Sequence, residues 1–264
     1  MTAVRRLPIR GADLAVWQSG TGSRDLVLVH GFQNDHTVWQ PLIDRLSPDR
    51  YRITSFDLVG CGASGNADSW RRCTADEYGA DLVALCDALG IKAPVVFGHS
   101  LGGGAALSAA LTHPGRLAGM VLMAPISTTG LDFLPDEDSF TALAHPTREQ
   151  QYTLARNAFR HPIGDSDFAE LASVIAKASP EHIEGVARSM RDFTRQTELA
   201  AIAVPTILIC GDRDRHVPLR NHLATWAAIP RCGLQVYYDV AHVPFVETAD
   251  ACAADVERFL ATLS

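Results

Sequence analysis

No run in this 264-residue chain is apolar for long enough to cross a bilayer, which argues against a membrane-spanning protein. Met1 to Gly11 carries arginines but no apolar segment behind them, so a secretory signal is not expected there. Positive charge is in deficit. The 23 Lys and Arg against 30 Asp and Glu leave a formal charge of −7, which disfavours nucleic acid or an anionic membrane as the main partner. Like charges nowhere cluster into a tail. Cys61, Cys73, Cys86, Cys210, Cys232 and Cys252 form no C-x-x-C pair, and no His stands at zinc spacing beside them. No metal or cofactor is therefore expected, and reduced thiols in a cytoplasmic protein are the simple reading. Internal repeats and low-complexity tracts are absent too.

The remainder is ordinary globular chain, 47% hydrophobic and 20% charged, enough to bury a substantial core. Short apolar runs alternate with helical patterns. A hairpin is predicted over 5–18 with its turn at Gly11-Ala12-Asp13, and strands over 25–29, 51–56, 95–97, 117–123, 206–210 and 234–238. Helices are predicted over 39–46, 75–89, 220–228 and 250–263, with another directly after Ser100. Such alternation implies parallel βαβ units with helices on both faces of the sheet. Residues 127–201 break the rhythm with short helices over 140–144, 148–159, 168–178 and 181–195. This stretch reads as a helical cap inserted into an α/β core made of 1–126 and 202–264.

Chemistry concentrates around Gly98-His99-Ser100-Leu101-Gly102. A G-x-S-x-G pentapeptide between an apolar strand and an Ala-rich helix describes a nucleophile elbow. The two glycines leave room for a tight turn that lifts the Ser100 hydroxyl clear of the sheet. The Leu101 N–H then lies at a helix N-terminus, where developing negative charge is favoured. A helix N-cap is the bland role for such a serine. A nucleophilic Ser needs a base, and His242 follows the last strand, at the edge where Ser100 is expected. Of the other histidines, His99 lies in the elbow itself, where neighbouring side chains point different ways, so it is expected to turn away from Ser100. His216 and His222 fall near the candidate carboxylates, with loop and surface positions as their bland readings, and His113, His145, His161 and His182 lie where exposure is expected. Asp212 and Asp214 both follow the penultimate strand, and either can supply the carboxylate that orients the imidazole.

Taken together, these motifs resemble the α/β-hydrolase fold superfamily over nearly the whole chain. The resemblance rests on His30-Gly31-Phe32 with Trp39, Asp57-Leu58-x-Gly60-x-Gly62-x-Ser64, the elbow Gly98 to Gly103, and Gly211-x-x-Asp214-x-x-x-Pro218. It implies a mostly parallel, eight-stranded sheet with helices on both faces and an inserted helical cap. It also implies Ser100 as nucleophile, His242 as base and then acid, and Asp214 rather than Asp212 as the orienting carboxylate. Phe32 and Leu101 would supply the oxyanion N–H groups. His30, Gly31, Gly98 and Gly102 would support them. Ala241 stands where the family usually has Gly, a mild departure. A Ser nucleophile argues against haloalkane dehalogenases and epoxide hydrolases, which need a carboxylate there.

The expected reaction is hydrolysis of a small or medium carboxylic ester through an acyl-enzyme, by a monomer or homodimer. Thioesters, lactones and amides suit the same machinery. The superfamily also holds lyases, haloperoxidase-like proteins and ligand receptors. Substrate signals are weaker. Arg188, Arg191 and Arg195 share a helical face and would suit an anionic substrate tail, yet Glu184 and Asp192 among them favour surface ion pairs. Arg213 and Arg215 flank Asp214 with the same ambiguity. Phe133, Phe140, Phe159 and Phe168 would suit either an acyl pocket or the cap's own core.

Overall fold

Successive side chains of a strand point to opposite faces, and in Arg24–Val29 both sets are apolar. Leu26 and Leu28 pack with Trp39, Leu42 and Leu260 on one face, whereas Val27 and Val29 pack with Leu82, Leu101 and Ala105 on the other. A strand buried on both sides demands helices on both sides. The computed structural model describes residues 4–130 and 144–263, and the architecture follows from that demand. Strands β1 (Arg5–Ile9), β2 (Ala12–Ser19), β3 (Arg24–Val29), β4 (Tyr51–Phe56), β5 (Val95–His99), β6 (Gly119–Met123), β7 (Thr206–Gly211) and β8 (Cys232–Tyr237) form one eight-stranded sheet. Their spatial order is β1-β2-β4-β3-β5-β6-β7-β8. Only β2 runs antiparallel to its neighbours. From β4 to β8 every pairing is parallel, so the chain ends of these strands gather along one edge.

The α-helices lying within the described residues are α1 (Gln40–Ile43), α2 (Ala75–Leu89), α3 (Leu101–Thr112), α4 (Arg148–Asn157), α5 (Asp165–Ile175), α6 (Pro180–Asp192), α7 (Leu219–Ala228), α8 (Pro244–Glu247) and α9 (Ala249–Ala261). Thr74 caps α2 by accepting from Glu77 N–H, and Gly90 closes it in a left-handed conformation. Helices α4, α5 and α6 all fall between β6 and β7. Among the described residues no helix is long and apolar enough to cross a membrane.

Local boundaries differ from the sequence pattern in instructive ways. The first hairpin turns at Arg10-Gly11, both left-handed, one residue ahead of the predicted turn. The predicted helix over 39–46 is a 3-10 turn, His36–Trp39, followed by only four residues of α1. Asp35 starts that turn by accepting from Thr37 N–H. The short helix α8 was not visible as a periodic pattern. The predicted helix over 140–144, with Phe133 and Phe140, lies outside the described residues except for its last position.

Candidate active site

Ser100 sits between β5 and α3 with φ 52° and ψ −113°, a backbone conformation that a non-glycine residue adopts only where its surroundings enforce it. Two close approaches do the enforcing. A Cβ on Gly102 would stand 2.1 Å from the Val29 carbonyl oxygen, and one on Gly98 2.4 Å from that of Gly102. Ser100 N–H donates to Met123 O at 3.0 Å, and Ser100 O accepts from Gly103 and Ile126 N–H at 2.9 and 3.0 Å. The side chain is thereby held at the carboxyl edge of the sheet. Leu101 opens α3, where its N–H has no acceptor within the helix.

The loop after β3 comes to the same place. A Cβ on Gly31 would lie 2.8 Å from His99 Nδ1 and 3.1 Å from Ser100 Cβ, so only glycine lets the loop approach. His30 is wholly buried. Its Nε2 accepts from Leu58 N–H at 2.9 Å and its Nδ1 donates to Gly31 O at 2.8 Å. Both nitrogens are thus engaged with backbone, and burial pushes its pKa down. The next residue, Phe32, lines the cavity beside Ser100, and its ring stacks on His182 at 5.6 Å.

His242 follows β8. Its Nδ1 lies 2.7 Å from Asp214 Oδ2, with both side chains buried. The other Asp214 oxygen accepts from His216 and Val217 N–H at 2.8 and 3.0 Å, which fixes the carboxylate. Burial works to raise the Asp214 pKa, but the His242 charge and hydrogen bonds from His222 and His242 outweigh it and hold it well below the usual range. Asp212 takes a different job, accepting from Asp239 N–H at 2.7 Å and so bracing the β8 turn. Ala241, where the resemblance expects Gly, is buried, and its N–H donates to Glu247 at 3.0 Å.

Ser100, His242, Phe32 and His99 line one cavity of about 320 Å³. Leu154 of α4, Leu171 and Ile175 of α5 and Met190 of α6 form part of its wall. The backbone of His242 donates to Ala158 O at 2.9 Å, so the chain just after α4 is tied to the histidine itself. Phe159 reaches the cavity. Phe168 does not, packing instead on Tyr152 with Arg156 over its ring. Arg188, Arg191 and Arg195 pair with Glu184, Asp192 and both Asp76 and Glu198, and none lines this cavity.

Three histidines differ from their sequence-based placement. His222, expected at the surface, is 1% exposed, and its Nε2 lies 3.2 Å from Asp214 Oδ2. His182, expected to be exposed, is wholly buried against Tyr78, its Nδ1 2.7 Å from the hydroxyl and its pKa lowered to about 3 by burial. His99 places Nε2 3.0 Å from the His242 carbonyl, inside the site rather than turned away from it. The eight-residue step from Asp214 to His222 across the start of α7 was the available signal for the first. For His182 the signal was its helical stripe with Gly185, Val186 and Ser189, at i+3, i+4 and i+7.

Among the described residues one group holds three possible metal ligands close together, Asp35, His36 and Asp57, with ligand atoms within 4.8 Å. Those atoms are already occupied. Asp57 accepts from His36 and Ala63 N–H and contacts the His36 ring, and Asp35 accepts from Thr37. This donor set serves the loop.

The chain is similar to a pimeloyl-[acyl-carrier protein] methyl ester esterase of Aliivibrio salmonicida, 26% identical, with 92% of this chain and 95% of that protein covered. It is similar also to a non-heme haloperoxidase of Rhodococcus erythropolis, 29% identical over 92% and 93% of the two chains. Its fold matches that of an esterase from Exiguobacterium antarcticum with a TM-score of 0.88 at 19% identity, over 97% and 99% of the two chains. The alpha/beta hydrolase fold model matches residues 26–170, more than half of the sequence, and the chain belongs to that family.

Proposed function

We propose that the protein is a serine hydrolase of small or medium carboxylic esters, working through an acyl-enzyme on Ser100. The observation that carries this reading is one cavity lined by a strained Ser100 and by a His242 bonded to a buried, ionised Asp214. In the proposed sequence His242 takes the Ser100 proton as Oγ attacks the ester carbonyl. Asp214 keeps the imidazole in the tautomer whose Nε2 is free to accept, and stabilises the imidazolium that forms. The N–H groups of Phe32 and Leu101 receive the developing oxyanion. Such donors each supply about 10²–10³ in rate. His242 then gives its proton to the leaving alkoxide, activates water, and the acid is released. His30 and the glycines Gly31, Gly98 and Gly102 hold the parts together.

Residues 127–201 act in this reading as a cap, since α4, α5 and α6 contribute Leu154, Leu171, Ile175 and Met190 to the cavity wall. The name of the Aliivibrio relative, an esterase of a methyl ester, favours the carboxylic ester over an amide. No cofactor takes part in the proposed steps. The test is intact-mass spectrometry after exposure to a phosphonate probe, with turnover of p-nitrophenyl esters of rising acyl length. One adduct, absent in Ser100→Ala, together with ester turnover is the expected result. An unlabelled wild-type protein would remove Ser100 as an activated nucleophile.

A further inference from the structure

The cavity at Ser100 is apolar along Val38, Leu154, Phe159, Leu171, Ile175 and Val217. Apart from His242, its ionisable lining consists of His99, His216 and Arg215. Burial keeps the first two neutral, His216 with its pKa lowered to about 4. Arg215 therefore brings the one permanent charge to this wall among the described residues. It is exposed to solvent and also lines the cavity, so it stands where the cavity opens. The backbone that carries it is held, because the Asp214 carboxylate accepts from His216 and Val217 N–H just after it.

Arg215 forms no ion pair or hydrogen bond with the described residues, whereas nearby arginines do. Arg213 faces Asp212 at 3.4 Å, and Arg160 bonds Asp239 at 2.5 Å. A second polar atom on the same wall, Gln33 Nε2, also has no partner among the described residues. Gln33 is 4% exposed, and its Nε2 meets no acceptor. Buried polar groups in native proteins are nearly always satisfied, so an orphan donor on a cavity wall points to a polar group on the ligand.

We propose that the ester taken up carries a carboxylate on the portion that reaches the cavity mouth, and that Arg215 selects it. This rests on the reading of Ser100 as the acylated residue. A guanidinium matches a carboxylate with two parallel N–H donors. The Gln33 amide offers a further hydrogen bond to an acceptor on the same molecule. Neutral esters of equal length enter the same cavity but leave Arg215 with water.

The test compares kcat/KM for monomethyl half-esters of dicarboxylic acids, C4 to C10, with methyl alkanoates of equal length. Carboxyalkyl acetates form a parallel series that places the anion on the alcohol side. The ratio of anionic to neutral turnover in one of the series should exceed one in wild type. It should fall roughly tenfold in Arg215→Gln and further in Arg215→Glu, while Arg215→Lys keeps part of it; tenfold is the size of one partly screened charge-assisted hydrogen bond. Wild-type ratios of one or less in both series, or a ratio unmoved in Arg215→Gln, would overturn the assignment while leaving ester hydrolysis in place. If no ester of either kind is turned over, phosphonate labelling decides the Ser100 reading and calorimetry decides the Arg215 question by itself. Half-ester binding to Ser100→Ala that weakens about tenfold on adding Arg215→Gln supports it, and equal binding overturns it.

Discussion

Two histidine–aspartate pairs stand at the carboxyl edge of this sheet, nearly identical in their contacts and different in their surroundings. His242 Nδ1 lies 2.7 Å from Asp214, and His36 Nδ1 lies 2.8 Å from Asp57. Both carboxylates are buried, and in both burial is outweighed by histidine contacts and hydrogen bonds that hold the pKa down. The His36 ring, however, stacks on Trp17 at 3.3 Å, and its backbone N–H also donates to Asp57. The second Asp57 oxygen accepts from Ala63 N–H, tying the glycine-rich loop to the 3-10 turn. His242 instead lines the cavity that holds Ser100. The same pair ties two loops together in one place and lines the Ser100 cavity in the other. Pair geometry alone does not distinguish the two; access to the cavity does.

The widest separation between the two pairs should come from their loss of function. Ser100→Ala and His242→Ala should each lower kcat for a p-nitrophenyl ester by roughly 10⁴–10⁶, while His36→Ala stays within tenfold. Comparable losses at His36 and His242 would erase the distinction. The carboxylates sharpen it next. Asp214→Asn should cost roughly 10³–10⁴ in kcat with the fold intact, by allowing the wrong imidazole tautomer. Asp57→Asn should cost about 2 kcal/mol of stability in urea denaturation and keep phosphonate labelling of Ser100.

The pH response comes third. His182 has its pKa lowered to about 3 in the fold, against about 6.5 unfolded, so the unfolded chain binds the extra proton. Its neutral form therefore contributes stability that is present above pH 6.5 and is lost as pH falls towards 3. Melting temperatures taken from pH 7.5 to 4.5 should fall with acid, and His182→Phe should flatten the slope by up to one proton. An unchanged slope would mean that His182 is not held neutral. The smallest effect belongs to His222, which shares Asp214 Oδ2 with His242 at 3.2 Å. His222→Phe should lower kcat by roughly threefold to tenfold. A loss equal to that of Asp214→Asn would instead make His222 an equal partner of the base.

Much of the site was legible because it is built from backbone turns with strict steric needs. The elbow at Gly98 to Gly102, the loop at His30-Gly31-Phe32 and the position of Asp214 three residues after Gly211 are local patterns, and each was found at the edge where parallel strands end. The misreadings share a cause. His182 and His222 are polar residues on amphipathic helices, and their burial depends on what packs against them from distant parts of the chain. For His182 that partner is Tyr78, 104 positions earlier.

The sequence by itself determined the alternation of strands and helices, the turn that strains Ser100 and the candidate partners Asp214 and His242. Those features depend on side-chain period and on glycines at fixed offsets. Only the tertiary structure decided which of two His–Asp pairs shares a cavity with Ser100, which arginines are consumed in ion pairs, and that the Arg215 side chain and Gln33 Nε2 reach the cavity wall without a partner among the described residues. These outcomes turn on distances between residues far apart in the chain, which no local pattern encodes.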